Sequence, residues 1–352
     1  MLNFALIGCG RIAKRHSDLL GFNKIPGARL VSVCDKDLSR AKVIGEKFEI
    51  PCYTDYHEML TRENIDVVSI LTPSGLHAEH ALDIARYNKH VIVEKPMALC
   101  VEDADRMIKR YKEIGKMLFV VKQNRMNVPV KKMREQLEAG RFGKLVMGTI
   151  RVRWKRTEEY YAADKWRGTW AQDGGVLANQ ASHHIDLLQW MMGDVESVFA
   201  KSANALVQLE TEDTAIAALK FKNGALGLIE ATTATRPRDI EGSISVLGER
   251  GTVEIGGFAV NEMKIWDFVD NNETDSDVLD KFSVNPPDVY GFGHREYLEH
   301  VVKCINGEET SLIDGEEGKK SLELISAIYR SIETKKEVFL HKKPRSKKLG
   351  KK

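Results

Sequence analysis

Six residues near the start of the chain, Gly8-Cys9-Gly10-Arg11-Ile12-Ala13, constrain its fold more than any other stretch. They follow an apolar run, Asn3–Ile7, that reads as a strand, and they open an amphipathic segment that reads as a helix. A glycine at the first position permits a tight turn from strand to helix. A glycine at the third lets the backbone approach a phosphate closely, and a small residue at the sixth keeps helix and strand together. The helix N-terminus then offers unpaired N–H groups to an anion. An acid, Asp35, ends the next apolar run, 25 residues past Gly10. Its carboxylate suits ribose hydroxyls and repels a 2′-phosphate, which favours NAD over NADP, although Lys36 beside it offsets part of that repulsion.

The first ~120 residues continue the pattern, alternating short apolar strands with helical stretches as in a parallel sheet covered on both faces. Strands are expected at 3–7, 28–34, 67–71, 90–93 and 117–121, and helices at 38–48, 77–87 and 101–114. After Asn127 the texture changes. A helix at 128–139, ended by Gly140, leads into longer alternating strands at 145–154, 197–206, 214–221, 225–233, 242–247 and 251–255. Short turns such as Lys222-Asn223-Gly224 join them, which predicts an antiparallel meander. Two late helices, 294–305 and 315–334, and a last strand, 338–341, complete the reading. The fold class is therefore α/β, a Rossmann domain over 1–123, followed by an α+β domain with a large antiparallel sheet over 124–341. The basic stretch 342–352 is expected to be solvated and frayed.

Composition narrows the function. Hydrophobic residues are 43% and charged residues 30%, with a net charge of +2, so no bulk electrostatic case exists for nucleic acid or an anionic membrane. The cysteines, Cys9, Cys34, Cys52, Cys100 and Cys304, form no Cys-x-x-Cys pair, which fits a reducing compartment. No apolar run approaches the ~18 residues of a membrane span, and the start reads as a strand rather than a leader, so a cytoplasmic enzyme is expected.

Two polar constellations interrupt otherwise apolar patterns. Ligands of open parallel sheets bind beyond the carboxyl ends of the strands, where Thr72-Pro73-Ser74-Gly75-Leu76-His77 and Glu94-Lys95-Pro96 fall. Thr72 and His77 are candidates for the nicotinamide ribose, His77 equally for an unliganded first-turn residue. Lys95 ends an apolar strand, and an ammonium there would stabilise an alkoxide as a hydride leaves. The second constellation is Asn179-Gln180-Ala181-Ser182-His183-His184-Ile185-Asp186 behind Gly174-Gly175. A helix starting near Asn179 would pair Asn179 with His183 and Gln180 with His184. A neutral imidazole there is a general base for an alcohol proton. Adjacent histidines point about 100° apart on a helix, so the cluster is not read as a metal site.

Together these residues resemble the Gfo/Idh/MocA oxidoreductase family over nearly the whole chain. Gly8, Gly10, Arg11, Ile12 and Ala13 match its fingerprint, Glu94-Lys95-Pro96 its catalytic-lysine signature, and Gly-Gly…His183-x-x-Asp186 its catalytic-histidine motif. The resemblance picks His183 rather than His184 as acid/base. Many members have aspartate where this chain has Asn179. That departure, with Trp154, Tyr160-Tyr161 and Trp166-Arg167, looks like the branch that oxidises C3 of UDP-N-acetylglucosamine or its uronate for surface polysaccharide. It implies Asp35, Thr72, Pro73, His77, Glu94, Lys95, Trp166 and Arg167 at NAD, Asn179, Gln180 and His183 at the sugar, 2-oxoglutarate as a hydride acceptor, and a dimer or tetramer. Arg153 and Arg156 are candidates for an anionic substrate group or simply the polar face of a strand. An inositol or monosaccharide dehydrogenase of the same family is the alternative, and a non-catalytic NAD-binding regulator a second.

Overall fold

The computed structural model describes residues 1–270, 277–283 and 291–351. The chain forms two compact units, Met1–Lys122 with His294–Lys319, and Gln123–Gly293 with Lys320–Lys352.

The first unit is a six-stranded parallel sheet of β1 (Leu2–Ile7), β2 (Ala28–Cys34), β3 (Cys52–Tyr53), β4 (Val67–Ile70), β5 (His90–Val93) and β6 (Leu118–Val120). Its order, β3-β2-β1-β4-β5-β6, is that of a Rossmann fold and reverses direction at β1. Val91, Ile92 and Val93 are fully buried, as both-face coverage requires of a central strand. Its helices carry explicit local signals. In Leu38–Phe48, the Asp37 side chain accepts the Ser39 N–H at 3.0 Å. In Val101–Glu113, acids fill the first turn and bases the last, and Val101, Ala104, Met107, Ile108 and Tyr111 form the buried stripe. The two-residue β3 and the helix Tyr56–Arg62 went unrecognised in the sequence because both are too short to show a period.

The linear domain reading needs one correction. The helix Gly293–Ile305 and the loop after it fold with the first unit, from His294 onward. Val120 donates its N–H to Ile313 O at 2.9 Å, and Lys112 and Lys319 pair with Glu316 and Asp105.

The second unit is built on eight strands: β7 (Leu145–Arg153), β8 (Val195–Ala203), β9 (Thr214–Phe221), β10 (Leu226–Thr232), β11 (Glu241–Gly248), β12 (Gly251–Gly256), β13 (Glu262–Phe268) and β14 (Val338–Phe339), in the order β13-β12-β11-β7-β10-β9-β8-β14. Every pair is antiparallel but one: β7 runs parallel to β10, so two meanders flank it rather than one continuous meander. Sequence alternation missed β13 because a bulge opposite Glu254 and Ile255 breaks the period of two. One face of β7 (Gly148, Ile150, Val152) is buried, and the helix Ser182–Met192 lies on it. A Cβ on Gly148 would stand 2.6 Å from Met192 Cγ, so this close approach requires glycine.

The described part of the basic stretch, 342–351, is not frayed. Ser346 donates its N–H to Ser326 Oγ at 3.0 Å, Leu349 is 2% exposed, and Gly350 donates to Trp170 O at 2.8 Å. Among the described residues no helix is long and apolar enough to cross a membrane.

Gly8 has φ +94°, and a Cβ there would stand 2.8 Å from the Leu71 carbonyl. Gly8→Ala should therefore lower stability by about 2 kcal/mol or more. A denaturant midpoint indistinguishable from the parent's would contradict this account of the turn.

Candidate functional site

In the first unit, Gly8 closes β1 and donates its N–H to Cys34 O at 2.8 Å. Cys9 donates its N–H to Asp35 Oδ2 at 2.7 Å, and Asp37 donates to Oδ1 at 2.9 Å. Asp35 thus ties the glycine loop to the end of β2. No heavy atom lies within 4 Å of a Cβ built on Gly10, so its backbone is open to an incoming group. Arg11 is exposed, and Ile12 stands at the start of the helix Ala13–Gly21 without a side-chain cap, while Ala13 and Arg15 donate their N–H groups to Gly10 O at 3.2 Å and Ile12 O at 3.0 Å. A nucleotide diphosphate fits this cradle, with Asp35 at the ribose end.

The next two strand ends differ in part from the sequence reading. Thr72 is half-buried and its hydroxyl meets His80 Nδ1 at 3.0 Å; Pro73 follows it. His77 is 1% exposed and joins Thr72 O at 2.8 Å to Pro96 O at 2.7 Å. Burial pulls its pKa below the ordinary value, against the two carbonyls. His77 is therefore buried between the Thr72 and Pro96 carbonyls, and as a neutral ring it donates to one of them. Beyond β5, Glu94 is buried. Its Oε1 meets His16 Nε2 at 3.3 Å, and its Oε2 accepts the Lys95 N–H at 3.1 Å. Burial alone would raise the Glu94 pKa, but the His16 hydrogen bond and the neighbouring His16, His294 and Lys95 hold it down to about 2. His16, Glu94 and His294 are also, among the described residues, close enough to share a cation, an arrangement the sequence did not suggest. Lys95 itself is half-buried at the strand end.

In the second unit, the short helical segment Gln123–Met126 meets the helix Ser182–Met192. Gln123 Nε2 lies 3.1 Å from His183 Nε2, and an amide –NH2 only donates, so that ring nitrogen carries the lone pair. Arg125 grips Asp186 with two bonds of 2.8 Å, both side chains under 5% exposed, and its guanidinium stacks 4.9 Å from the Trp190 ring. Gln123 and Arg125 escaped the sequence reading, although four successive polar residues after an apolar strand were a usable signal.

The expected pairing of Asn179 with His183 and Gln180 with His184 is replaced by a different geometry. Val176–Gln180 is a π-helical turn and the α-helix begins only at Ser182, so the residues do not share one 3.6-residue period. Asn179 turns to Asp173, whose other oxygen accepts the Gly168 N–H at 2.7 Å. Gln180 donates to the Tyr160 hydroxyl at 3.1 Å, which also accepts Arg167 Nη1 at 2.7 Å. Arg167 stacks on Trp166 and Tyr160, and Arg156 lies 5.3 Å from the Tyr160 ring while bonded to Asp239. His184 is buried edge-on against Trp154. Arg153 lies on the polar face of β7. It points away from the buried face of β7 and forms a bidentate pair with Glu230 (2.6 and 2.9 Å), so strand alternation puts it on the face opposite the Ser182–Met192 helix.

Beneath the turn lies Glu212. Its Oε1 accepts Leu177 N–H at 3.1 Å and the Tyr329 hydroxyl at 2.9 Å; that hydroxyl in turn accepts Gly175 N–H at 3.0 Å. A Cβ on Gly175 would run into the Glu212 carboxyl. Burial pushes the Glu212 pKa up to about 7, Asp173 adding to the rise and the donated bonds opposing it.

Residues 2–122 match the model of the oxidoreductase family's NAD-binding Rossmann fold, and residues 134–340 that of its C-terminal alpha/beta domain. The chain belongs to the Gfo/Idh/MocA family. It is 41% identical to the WlbA dehydrogenase of Bordetella pertussis, a structure in complex with NADH and UDP-GlcNAcA, at a TM-score of 0.92 over 96% of this chain and 97% of that one. The WlbA dehydrogenase of Chromobacterium violaceum, in complex with the same two ligands, gives 41% and 0.90, over 96% of each chain. Myo-inositol 2-dehydrogenase of Thermotoga maritima is 30% identical over 346 residues, 96% of this chain and 98% of the relative. This Gfo/Idh/MocA protein is thus an NAD-dependent dehydrogenase acting on CH–OH groups.

Two expectations follow. Arg125→Ala should cost about 3–5 kcal/mol, because it removes the cation paired with a buried carboxylate, whereas joint replacement with Asp186 by apolar residues should recover much of the loss. Equal losses in both variants would contradict the ion-pair account. Glu212 keeps its proton in the folded chain between its ordinary value of 4.5 and about 7. Its contribution is complete below 4.5 and lost as pH rises through 7, so the melting temperature should fall across that window. Glu212→Gln should flatten that fall; an unchanged slope would refute it.

Proposed function

We propose that the chain oxidises the 3-hydroxyl of a UDP-N-acetylamino sugar, with UDP-N-acetylglucosaminuronate the leading substrate. The observation that carries this reading is the 41% identity, over 96% of the chain, to two dehydrogenases whose structures hold NADH and UDP-GlcNAcA. The polar cluster of Gln180, Tyr160, Arg167 and Arg156 supports it, since its guanidinium groups suit an anionic sugar nucleotide. NAD, when bound, supplies the hydride acceptor. Lys95 donates a hydrogen bond to the reacting oxygen and stabilises the alkoxide as it forms. His183 takes the hydroxyl proton on the nitrogen that Gln123 now faces. Asp186 acts through Arg125 to hold the helix bearing His183. With Asn179 in place of an aspartate, no carboxylate stands four residues before His183; the one Asn179 engages belongs to Asp173.

The reading includes surface-polysaccharide biosynthesis in the cytoplasm, re-oxidation of the coenzyme by 2-oxoglutarate, and pairing into dimers or tetramers. Leu226, Leu228 and Ile216 are exposed on adjacent strands, which supports pairing through the sheet. The 30% identity to a myo-inositol dehydrogenase favours a second reading, oxidation of a free polyol.

Turnover of UDP-N-acetylglucosaminuronate, UDP-N-acetylglucosamine and myo-inositol, each followed by the absorbance of reduced nicotinamide, separates the two. Preference for the uronate is expected, and saturation by myo-inositol with indifference to both nucleotides would favour the polyol. Lys95→Met should lower kcat by roughly 100- to 10,000-fold while leaving NADH binding intact. Loss of NADH binding in that variant would contradict the role given to Lys95.

A further inference from the structure

The segment Ser346–Gly350 was expected to be solvated, yet it is anchored at one end and seated at the other. The Glu333 carboxylate, in the last turn of the helix Gly315–Thr334, accepts the Ser346 hydroxyl at 2.6 Å, the Lys347 N–H at 3.0 Å and the Lys348 N–H at 3.3 Å. Beyond that anchor, Leu349 packs on Gly174: a Cβ on Gly174 would stand 3.0 Å from Leu349 Cδ1. Gly350 donates its N–H to Trp170 O at 2.8 Å, and the Lys348 ammonium lies 5.5 Å from the Trp170 ring.

The residues so gripped lead straight to the substrate-facing ones. Trp170 is four residues past Trp166 and backs edge-on onto Tyr329, 5.2 Å between ring centroids. The Tyr329 hydroxyl takes Gly175 N–H and gives to Glu212, which takes Leu177 N–H. Those bonds define the entry to the π-helical turn that presents Asn179 and Gln180. A π turn is disfavoured against a continuous α-helix and persists when its surroundings over-determine it.

We propose that Ser346–Gly350 is a strap that positions the loop 166–181 for the sugar, making Leu349 a positioning residue. The proposal rests on the substrate reading above for which ligand that loop meets, but not for the strap itself. The loop carries its own hydrogen bonds, so the strap sets its rigidity rather than its existence. Removing it should raise local opening of the loop and weaken sugar binding, with the glycine cradle of the first unit untouched.

The test compares the full chain with one stopped after Arg345 and with Leu349→Ala, by amide hydrogen exchange, NADH titration and steady-state kinetics with UDP-N-acetylglucosaminuronate. Exchange in 166–181 should rise about 10-fold or more in both variants while exchange in 38–48 stays constant. KM for the sugar nucleotide should rise more than kcat falls, and by a larger factor than any change in NADH affinity. Unchanged exchange in 166–181 and unchanged KM would overturn the proposal. A uniform rise throughout the second unit would also overturn it, since the segment would then be ordinary packing. If the shortened chain fails to fold, Leu349→Ala decides alone. If the full chain does not turn over the nucleotide sugar, the substrate reading fails while the exchange comparison still decides the strap.

Discussion

Arg125 and Asp186 meet in near-complete burial, and much of the second unit is arranged around that fact. Removing two charges from water costs several kcal/mol per ion, repaid only by good geometry and full hydrogen bonding. Two parallel bonds of 2.8 Å meet that demand and allow one relative setting of Gln123–Met126 against the helix Ser182–Met192. His183 lies three residues before Asp186, on the segment thereby fixed, and Gln123 lies two before Arg125. The imidazole proposed as acid/base needs its orientation held by groups that do not themselves react, and in that proposal the ion pair supplies the hold.

Two buried carboxyls show how environment divides one functional group into opposite states. Glu94 is surrounded by His16, His294 and the Lys95 backbone, and stays ionised. Glu212 is fully buried with a second acid nearby, which outweighs the bonds donated to it, so it keeps its proton close to neutrality. The first puts a negative charge beside the residue proposed to polarise the substrate. The second keeps charge out of the turn that presents Asn179 and Gln180.

Local patterns made the fold legible. The strand–glycine–helix junction, the β-branched runs at Ala28–Cys34 and His90–Val93, and the alternation at Thr214–Phe221 are each set by residues within one element. What escaped depends on partners far along the chain. The burial of His77 depends on the Pro96 carbonyl, 19 residues on, which lies 2.7 Å from its Nδ1. Asn179 and Gln180 left the expected helix face because a π turn shifts the phase by one residue. Arg153 follows the β7 alternation faithfully, but which face is buried was decided by the helix Ser182–Met192. Leu349 is the sole large apolar residue after Leu340, and nothing adjacent to it announces that it packs on Gly174.

The central claim is that hydride leaves carbon 3 of the sugar, and isotope transfer tests it most directly. UDP-N-acetylglucosaminuronate deuterated at C3 is incubated with the protein and NAD, and the coenzyme is released for mass spectrometry. The account predicts reduced coenzyme one mass unit heavier, together with a 3-keto sugar. Reduced coenzyme of ordinary mass, or none from this sugar beside ready reduction by myo-inositol, would contradict it.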